Sequence, residues 1–319
     1  MSVFPVRRLV GLVGAALRDD PTPLSWPDAY DSRVAKRLLG LRRRIAGLSV
    51  GMTTADGFEI PYLTGGTHNA GRDIVLIHGF ADTKDTFVEI ARSLTRTHRV
   101  FLLDVPGFSE ASQPWDFHYS VPAMAAIVAS ALRRLGVHKP HMVGNSMGGA
   151  IALQYALTHP DSTRTLTLIG AAGVPMPEPS VLEQRLRAGD NPFVLQTYEE
   201  WWDYLTMVLH KMPYIPRVVR RHMARVFIGR AALNEKIFAD MLEDELDFSE
   251  RLSEVRAPTL ALWGDRDRVI DVSAGRSFKA GIAGAELVIL PGIGHAPQVE
   301  APRATAKLVG AHIRAHAGT

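Results

Sequence analysis

Gly144-Asn145-Ser146-Met147-Gly148 reads G-x-S-x-G and stands between the apolar run His141-Met142-Val143 and the helix-forming run Ala150-Ile151-Ala152-Leu153. Strand, sharp turn and helix, in that order, is the setting in which this motif carries chemistry. The turn is so tight that side chains two before and two after the serine would collide, and glycine at both places relieves the strain. The serine hydroxyl is then held out at a helix N-terminus, where backbone N–H groups can stabilise an oxyanion. The bare pattern also arises by chance as a glycine-rich turn. The flanking elements favour Ser146 as a nucleophile.

Outward from this turn, short β-rich runs alternate with helical stretches, the pattern of a mostly parallel sheet with helices on both faces. Strands are expected at 48–54, 59–64, 73–77, 99–103, 141–143, 165–169, 259–263 and 286–290, and helices at 83–95, 121–135, 147–159, 273–280 and 301–315. Between 172 and 256 the alternation stops. That stretch has helical segments, no convincing strand, and Pro175, Pro177 and Pro179 at its entrance. The expected organisation is an α/β core of eight strands at 49–172 and 257–319, a helical cap inserted at 173–256, and an N-terminal basic, amphipathic segment at 1–48. No internal repeat or long linker divides the chain.

A serine nucleophile needs a base, and the base needs an orienting acid. With the serine on such a turn, the acid and then the histidine follow it in the chain. Of 12 histidines, His295 stands in Pro291-Gly292-Ile293-Gly294-His295-Ala296-Pro297, directly after a C-terminal strand, with glycines that let a loop bring the imidazole over the serine. His312 and His316 fall in the last amphipathic helix and read as surface residues. For the acid, Gly264-Asp265-Arg266-Asp267 places two carboxylates after a strand. Asp267 is preferred, and Asp265 reads as the residue that fixes the turn by local side-chain to backbone bonds.

Composition narrows the classes further. The 319 residues are 46% apolar and 22% charged, which argues against both disorder and a polytopic membrane protein. There is no cysteine, so disulfide scaffolds, thiolate metal sites and a cysteine nucleophile fall away. The redox compartment stays open, secretion included. Neither a P-loop nor a G-x-G-x-x-G fingerprint is present, and no cofactor or metal is expected.

The net charge is only +3, but the bases cluster near the N-terminus. Arg7 and Arg8 precede a short apolar run at 9–17, too short to span a bilayer and without an A-x-A cleavage site. Next, Val34, Leu38, Leu41, Ile45 and Leu48 form a helical stripe. Around it stand Arg33, Lys36, Arg37, Arg42, Arg43 and Arg44, with no acid. Such a helix can lie peripherally on an anionic membrane; equally, the stripe can pack on the core while the bases are solvated. Nucleic acid is disfavoured, since no aromatic residues interleave the bases. The expected location is the cytoplasm or the inner-membrane surface.

Taken together, His78-Gly79-Phe80, the Gly144–Gly149 stretch, Gly264-Asp265-Arg266-Asp267 and Gly294-His295 resemble the α/β-hydrolase superfamily from about residue 50 to 319. The resemblance implies that Phe80 and Met147 donate backbone N–H groups as the oxyanion hole, and that His78 and Asp104 are structural. Asn191-Pro192-Phe193-Val194, Met212-Pro213-Tyr214-Ile215-Pro216 and the run from His295 to Pro302 are similar to bacterial lipases and to membrane-associated monoacylglycerol lipases. That likeness implies hydrolysis of carboxylic esters with medium to long acyl chains. Independently, seven aromatics fall between Phe193 and Phe227, against 8% for the whole chain. Phe193, Trp201, Trp202 and Tyr214 are therefore candidate contacts for an apolar substrate, although such residues also pack caps onto sheets.

Two other readings stand beside this one. The chain also resembles carbon–carbon bond hydrolases of aromatic meta-cleavage pathways, but it lacks their Gly-rich oxyanion loop, and Ala296 stands where they carry tryptophan. A non-catalytic binding protein of the same fold would have lost a triad member.

Overall fold

The computed structural model describes residues 33–67, 73–244 and 246–316. Eight strands form one sheet in the order β1-β2-β4-β3-β5-β6-β7-β8. They are β1 (Ser49–Ala55), β2 (Phe58–Gly65), β3 (Asp73–Ile77), β4 (Arg99–Leu103), β5 (His141–Asn145), β6 (Thr165–Ile169), β7 (Thr259–Gly264) and β8 (Glu286–Leu290). β1 and β2 pair antiparallel, as do β2 and β4; every later pairing is parallel. Asp56-Gly57 joins β1 to β2, and both residues have positive φ, at 50° and 86°. A two-residue hairpin turn of this kind matches the strand twist and demands that backbone.

β3, β5, β6 and β7 are buried along their whole length, as expected of parallel strands covered on both faces. Alternate residues feed two cores. Val75, Ile77, Phe101 and Leu103 pack with the helices Val121–Arg134 and Met147–Thr158, while Ile74, Leu76, Val100 and Leu102 pack with Val88–Leu94 and Pro302–Ala315. The edge strand β8 is only half-buried.

Helices Val181–Arg187, Tyr198–Val208, Arg217–Ile228 and Ala231–Glu243 lie between β6 and β7 in the chain. Tyr198–Val208 starts at a capping box, in which the Thr197 side chain accepts from the Glu200 N–H and Glu200 reaches back to the Thr197 N–H. Phe193, Trp201, Leu205, Leu209 and Phe227 form a cluster of their own, while Met207, Leu233 and Ile237 join the main core.

Several expectations are modified. The single helix expected at 83–95 is a 3-10 turn, Lys84–Phe87, followed by the helix Val88–Leu94. The Asp104 carboxylate takes both the Lys84 N–H and its ammonium group, fixing the chain there. His312 is not a surface residue. It is buried, its Nε2 donates to the Pro258 carbonyl at 3.1 Å, and burial lowers its pKa. The basic helix spans Arg33–Ile45; only Ala35 in it is buried, and Val34, Leu38, Leu41 and Ile45 are exposed. Leu48, beyond the helix end, is buried. The apolar run at 9–17 lies outside the described residues. No helix among the described residues is long and apolar enough to cross a membrane.

Candidate active site

Ser146 sits between β5 and the helix Met147–Thr158 with φ 56° and ψ −123°, a region that side chains rarely occupy. The strain is held from several sides. Its N–H donates to the Ile169 carbonyl at 3.0 Å, and its carbonyl accepts from Gly149 and Ala172 at 2.9 and 3.1 Å. The flanking glycines are explained by distance. A Cβ at Gly144 would lie 2.1 Å from the Gly148 carbonyl oxygen, and one at Gly148 would lie 2.2 Å from that of Ile77. Neither position has room for a side chain.

The two parallel strands beyond β6 supply the other candidates. Asp267 follows β7, and its Oδ1 accepts from the Val269 and Ile270 N–H groups, both at 2.9 Å. The carboxylate is thereby fixed so that Oδ2 meets His295 Nδ1 at 2.8 Å. This bond is almost wholly buried, with side-chain exposures of 6% and 1% for His295 and Asp267. Asp265 Oδ1 instead accepts from Gly292 N–H at 2.6 Å, tying the turn after β7 to the loop that carries His295. Gly170, with φ 49°, lets this pair approach: a Cβ there would lie 3.1 Å from both His295 Nδ1 and Asp267 Oδ2. Among the described residues no hydrogen bond closes between Ser146 Oγ and His295 Nε2. Contacts of this type tighten when substrate is bound.

Sequence reasoning missed how the His295 loop is anchored. Asn145 Nδ2 donates to the carbonyls of Ile169 and His295, at 2.9 and 3.2 Å, while Gln298 Nε2 donates to Asn145 Oδ1 at 3.0 Å. The Glu300 carboxylate accepts from Gly294 N–H at 3.0 Å and from Lys211 N–H at 2.7 Å. The His295 N–H itself donates to the Val208 carbonyl at the end of the helix Tyr198–Val208, at 2.9 Å. The signal lay in the polar residues at 298 and 300 of an otherwise apolar stretch, but only the fold reveals their partners.

Met147 is the first residue of its helix, so its N–H has no intrahelical acceptor. The Gly79-Phe80 segment passes close by, since a Cβ at Gly79 would lie 3.1 Å from Ser146 Cβ. His78 is fully buried; its Nδ1 donates to the Gly79 carbonyl at 2.8 Å and its Nε2 accepts from Val105 N–H at 3.3 Å. Both nitrogens are therefore used in shaping this loop. Behind it lies the buried Lys84–Asp104 ion pair.

The four candidate substrate contacts differ in placement. The Phe193 ring is buried, 4.6 Å from that of Phe80 and 4.9 Å from that of Phe238. Trp201 is buried against Tyr198 and Trp202. Trp202 is half-buried beneath the Arg220 guanidinium. Tyr214 is 92% exposed and joins no ring cluster. The Tyr204 ring packs on Phe193 and Phe227. Desolvation raises the pKa of Asp82, and both burial and the Asp82 charge raise that of Tyr204. Among the described residues no group of His, Asp and Glu side chains could hold a metal ion.

A strained serine at the end of a central parallel strand, with acid and histidine loops after the next strands, is the architecture of the α/β-hydrolase fold family, and the chain belongs to it. The family profile matches residues 74–204. Among relatives, Lipase 1 of Psychrobacter immobilis is 30% identical over 289 residues, 88% of this chain and 89% of that enzyme. Monoacylglycerol lipase abhd6-B of Xenopus laevis is 28% identical over 278 residues, 84% and 82% of the two chains. The solved structure of a membrane phospholipase A, a bacterial virulence factor, superposes with a TM-score of 0.87 at 36% identity, covering 90% of this chain and 94% of that one.

Proposed function

We propose that the protein is a serine carboxylic-ester hydrolase, a lipase or esterase that acts through an acyl-enzyme on medium to long acyl esters, monoacylglycerols among them. The observation that carries this reading is the buried 2.8 Å bond between His295 Nδ1 and Asp267 Oδ2, set beside the strained Ser146. In this mechanism His295 Nε2 takes the Ser146 proton as Oγ attacks the ester carbonyl. The oxyanion forms against the N–H groups of Phe80 and Met147, and Asp267 holds the imidazole in the useful tautomer and stabilises its cation. His295 returns the proton to the departing alcohol. Water, deprotonated by His295, then attacks the acyl-enzyme and releases the fatty acid and free Ser146. No cofactor enters any step.

The lipid part of the reading is supported by the rings of Phe80, Phe193 and Phe238 at the oxyanion loop and by the lipase relatives. In the same reading residues 173–256 act as the cap over the site, residues 49–172 and 257–319 as the catalytic core, and residues 1–48 contribute a peripheral contact with anionic membrane. A carbon–carbon bond hydrolase has less support, since Phe80 is followed by Ala81 and Asp82, and His295 by Ala296. A non-catalytic role is disfavoured because all three candidate triad residues are present. A panel of p-nitrophenyl esters and monoacylglycerols, run beside a meta-cleavage dienoate, tests the choice. Turnover of the esters is expected, and turnover of the dienoate alone would overturn it.

A further inference from the structure

The helix Arg33–Ile45 and the cap helix Arg217–Ile228 are far apart in sequence, yet they pack against each other. Neither contains an acidic residue, and together they hold ten of the chain's 36 bases. Packing two such helices together brings like charges close, which is unfavourable unless an anionic surface covers them. Half of these bases are exposed without an acidic partner among the described residues. Arg42 pairs with Glu89 and Arg43 with Asp85, while Arg220 lies over the Trp202 ring. Arg37, Arg44, Arg217, Arg221 and Arg225 are exposed and have no acidic partner among the described residues.

Apolar groups stand among the bases. Val34 and Ile45 are 56% and 59% exposed, Leu38 and Leu41 are exposed on the same stripe, and Val218 and Met223 are exposed on the cap helix. Leu38, Leu41 and Ile45 line an open groove of about 220 Å³ beside Glu89 and Arg92. Bases combined with exposed apolar side chains are what an interfacial helix presents to an anionic lipid surface. The inner face of the cap helix points the other way in function. Its Phe227 ring is 4.9 Å from Tyr204, Tyr204 is 5.8 Å from Phe193, and Phe193 is 4.6 Å from Phe80 in the oxyanion loop.

We propose that these two helices form one docking face for an anionic lipid surface, so that the membrane meets the cap itself as well as the N-terminal segment. The inference rests on the lipid-ester reading for its purpose, since docking there sets the aromatic wall of the site beside its substrate's source. It extends that reading by assigning half of the contact to Arg217, Arg221 and Arg225, about 180 residues further along the chain.

The test is co-sedimentation of the full chain with phosphatidylcholine vesicles, with and without phosphatidylglycerol, at low and high salt. Each base at an anionic surface is worth roughly a fivefold change in partition. The variant R217Q/R221Q/R225Q should therefore bind phosphatidylglycerol vesicles about 100-fold more weakly. Its turnover of a soluble short-chain ester should be unchanged, which shows that it is folded. L41S/I45S should weaken the part of binding that survives high salt. Unaltered binding by the triple variant, equal binding of wild type to both vesicle types, or tighter binding to RNA or heparin than to vesicles would each overturn the proposal. Failure of the wild type to hydrolyse any ester would instead remove the lipid-ester reading and leave the vesicle result standing.

Discussion

Asp265 and Asp267 are two residues apart, both follow β7, and both are bonded to backbone N–H groups, yet only Asp267 reaches His295. Their substitutions should separate accordingly. Asp267→Asn is expected to lower kcat about 10³–10⁴-fold by spoiling imidazole orientation. Asp265→Asn should act on stability, by about 1 kcal/mol through weakening of the Gly292 bond, with kcat nearly intact. Steady-state kinetics beside urea unfolding checks both, and reversed activity losses would mean that the acid is misassigned. The Ser146 and His295 positions were legible because a strained turn and a glycine-flanked loop leave marks in the sequence. The preference for Asp267 over Asp265 came from the sequence, but its physical reason did not, since that depends on which oxygen the Val269 and Ile270 N–H groups hold in place.

At the scale of elements, the strands were legible nearly to the residue. Runs such as Asp73–Ile77 and Thr165–Ile169 are short, apolar and bounded by turn residues. The helices between β6 and β7 were legible as a strand-free helical stretch entered at Pro175, Pro177 and Pro179, but not in how they pack, because they meet through aromatic contacts that have no fixed spacing in sequence. The same holds for the loop of His295, whose supports at Asn145, Gln298 and Glu300 come from different segments. Asn145→Ala should release the His295 carbonyl and leave Gln298 Nε2 without its acceptor. We expect kcat to fall by roughly 10–100-fold, since a small misplacement of a reacting group is costly, with KM little changed. A kcat equal to wild type would show that the loop is held by Glu300 and Val208 alone. Gly148→Ala is the harsher change, because its Cβ would overlap the Ile77 carbonyl. Such a variant should lose soluble expression or shift Tm down by well over 5 °C.

For the whole molecule, the buried His141 and His312 contribute to the response to acid. Burial, together with the neighbouring His98, holds the His141 pKa down to about 3 from its ordinary value of 6.5. The folded state keeps His141 neutral while the unfolded chain takes up a proton below pH 6.5. The protein therefore retains this stability above about pH 6.5 and loses it as pH falls towards 3. At pH 5 the loss is about 2 kcal/mol, and His312 adds to it in the same direction. Urea unfolding at pH 7 and pH 5 should show the drop, and His141→Gln should reduce it; an equal drop in that variant would place the acid sensitivity elsewhere. The global fold was readable because one motif and its flanks demand a strand–turn–helix unit, whereas the meeting of the helices Arg33–Ile45 and Arg217–Ile228 had no sequence signature.

Whether Ser146 is the nucleophile of an ester hydrolase can be read by reacting the intact protein with a fluorophosphonate and locating the adduct by peptide mass spectrometry. One adduct is expected, on Ser146, with ester turnover lost in step with labelling. Ser146→Ala should take up no label and turn over esters about 10⁴–10⁶-fold more slowly. An adduct on another serine, or near-normal turnover by Ser146→Ala, would contradict that assignment.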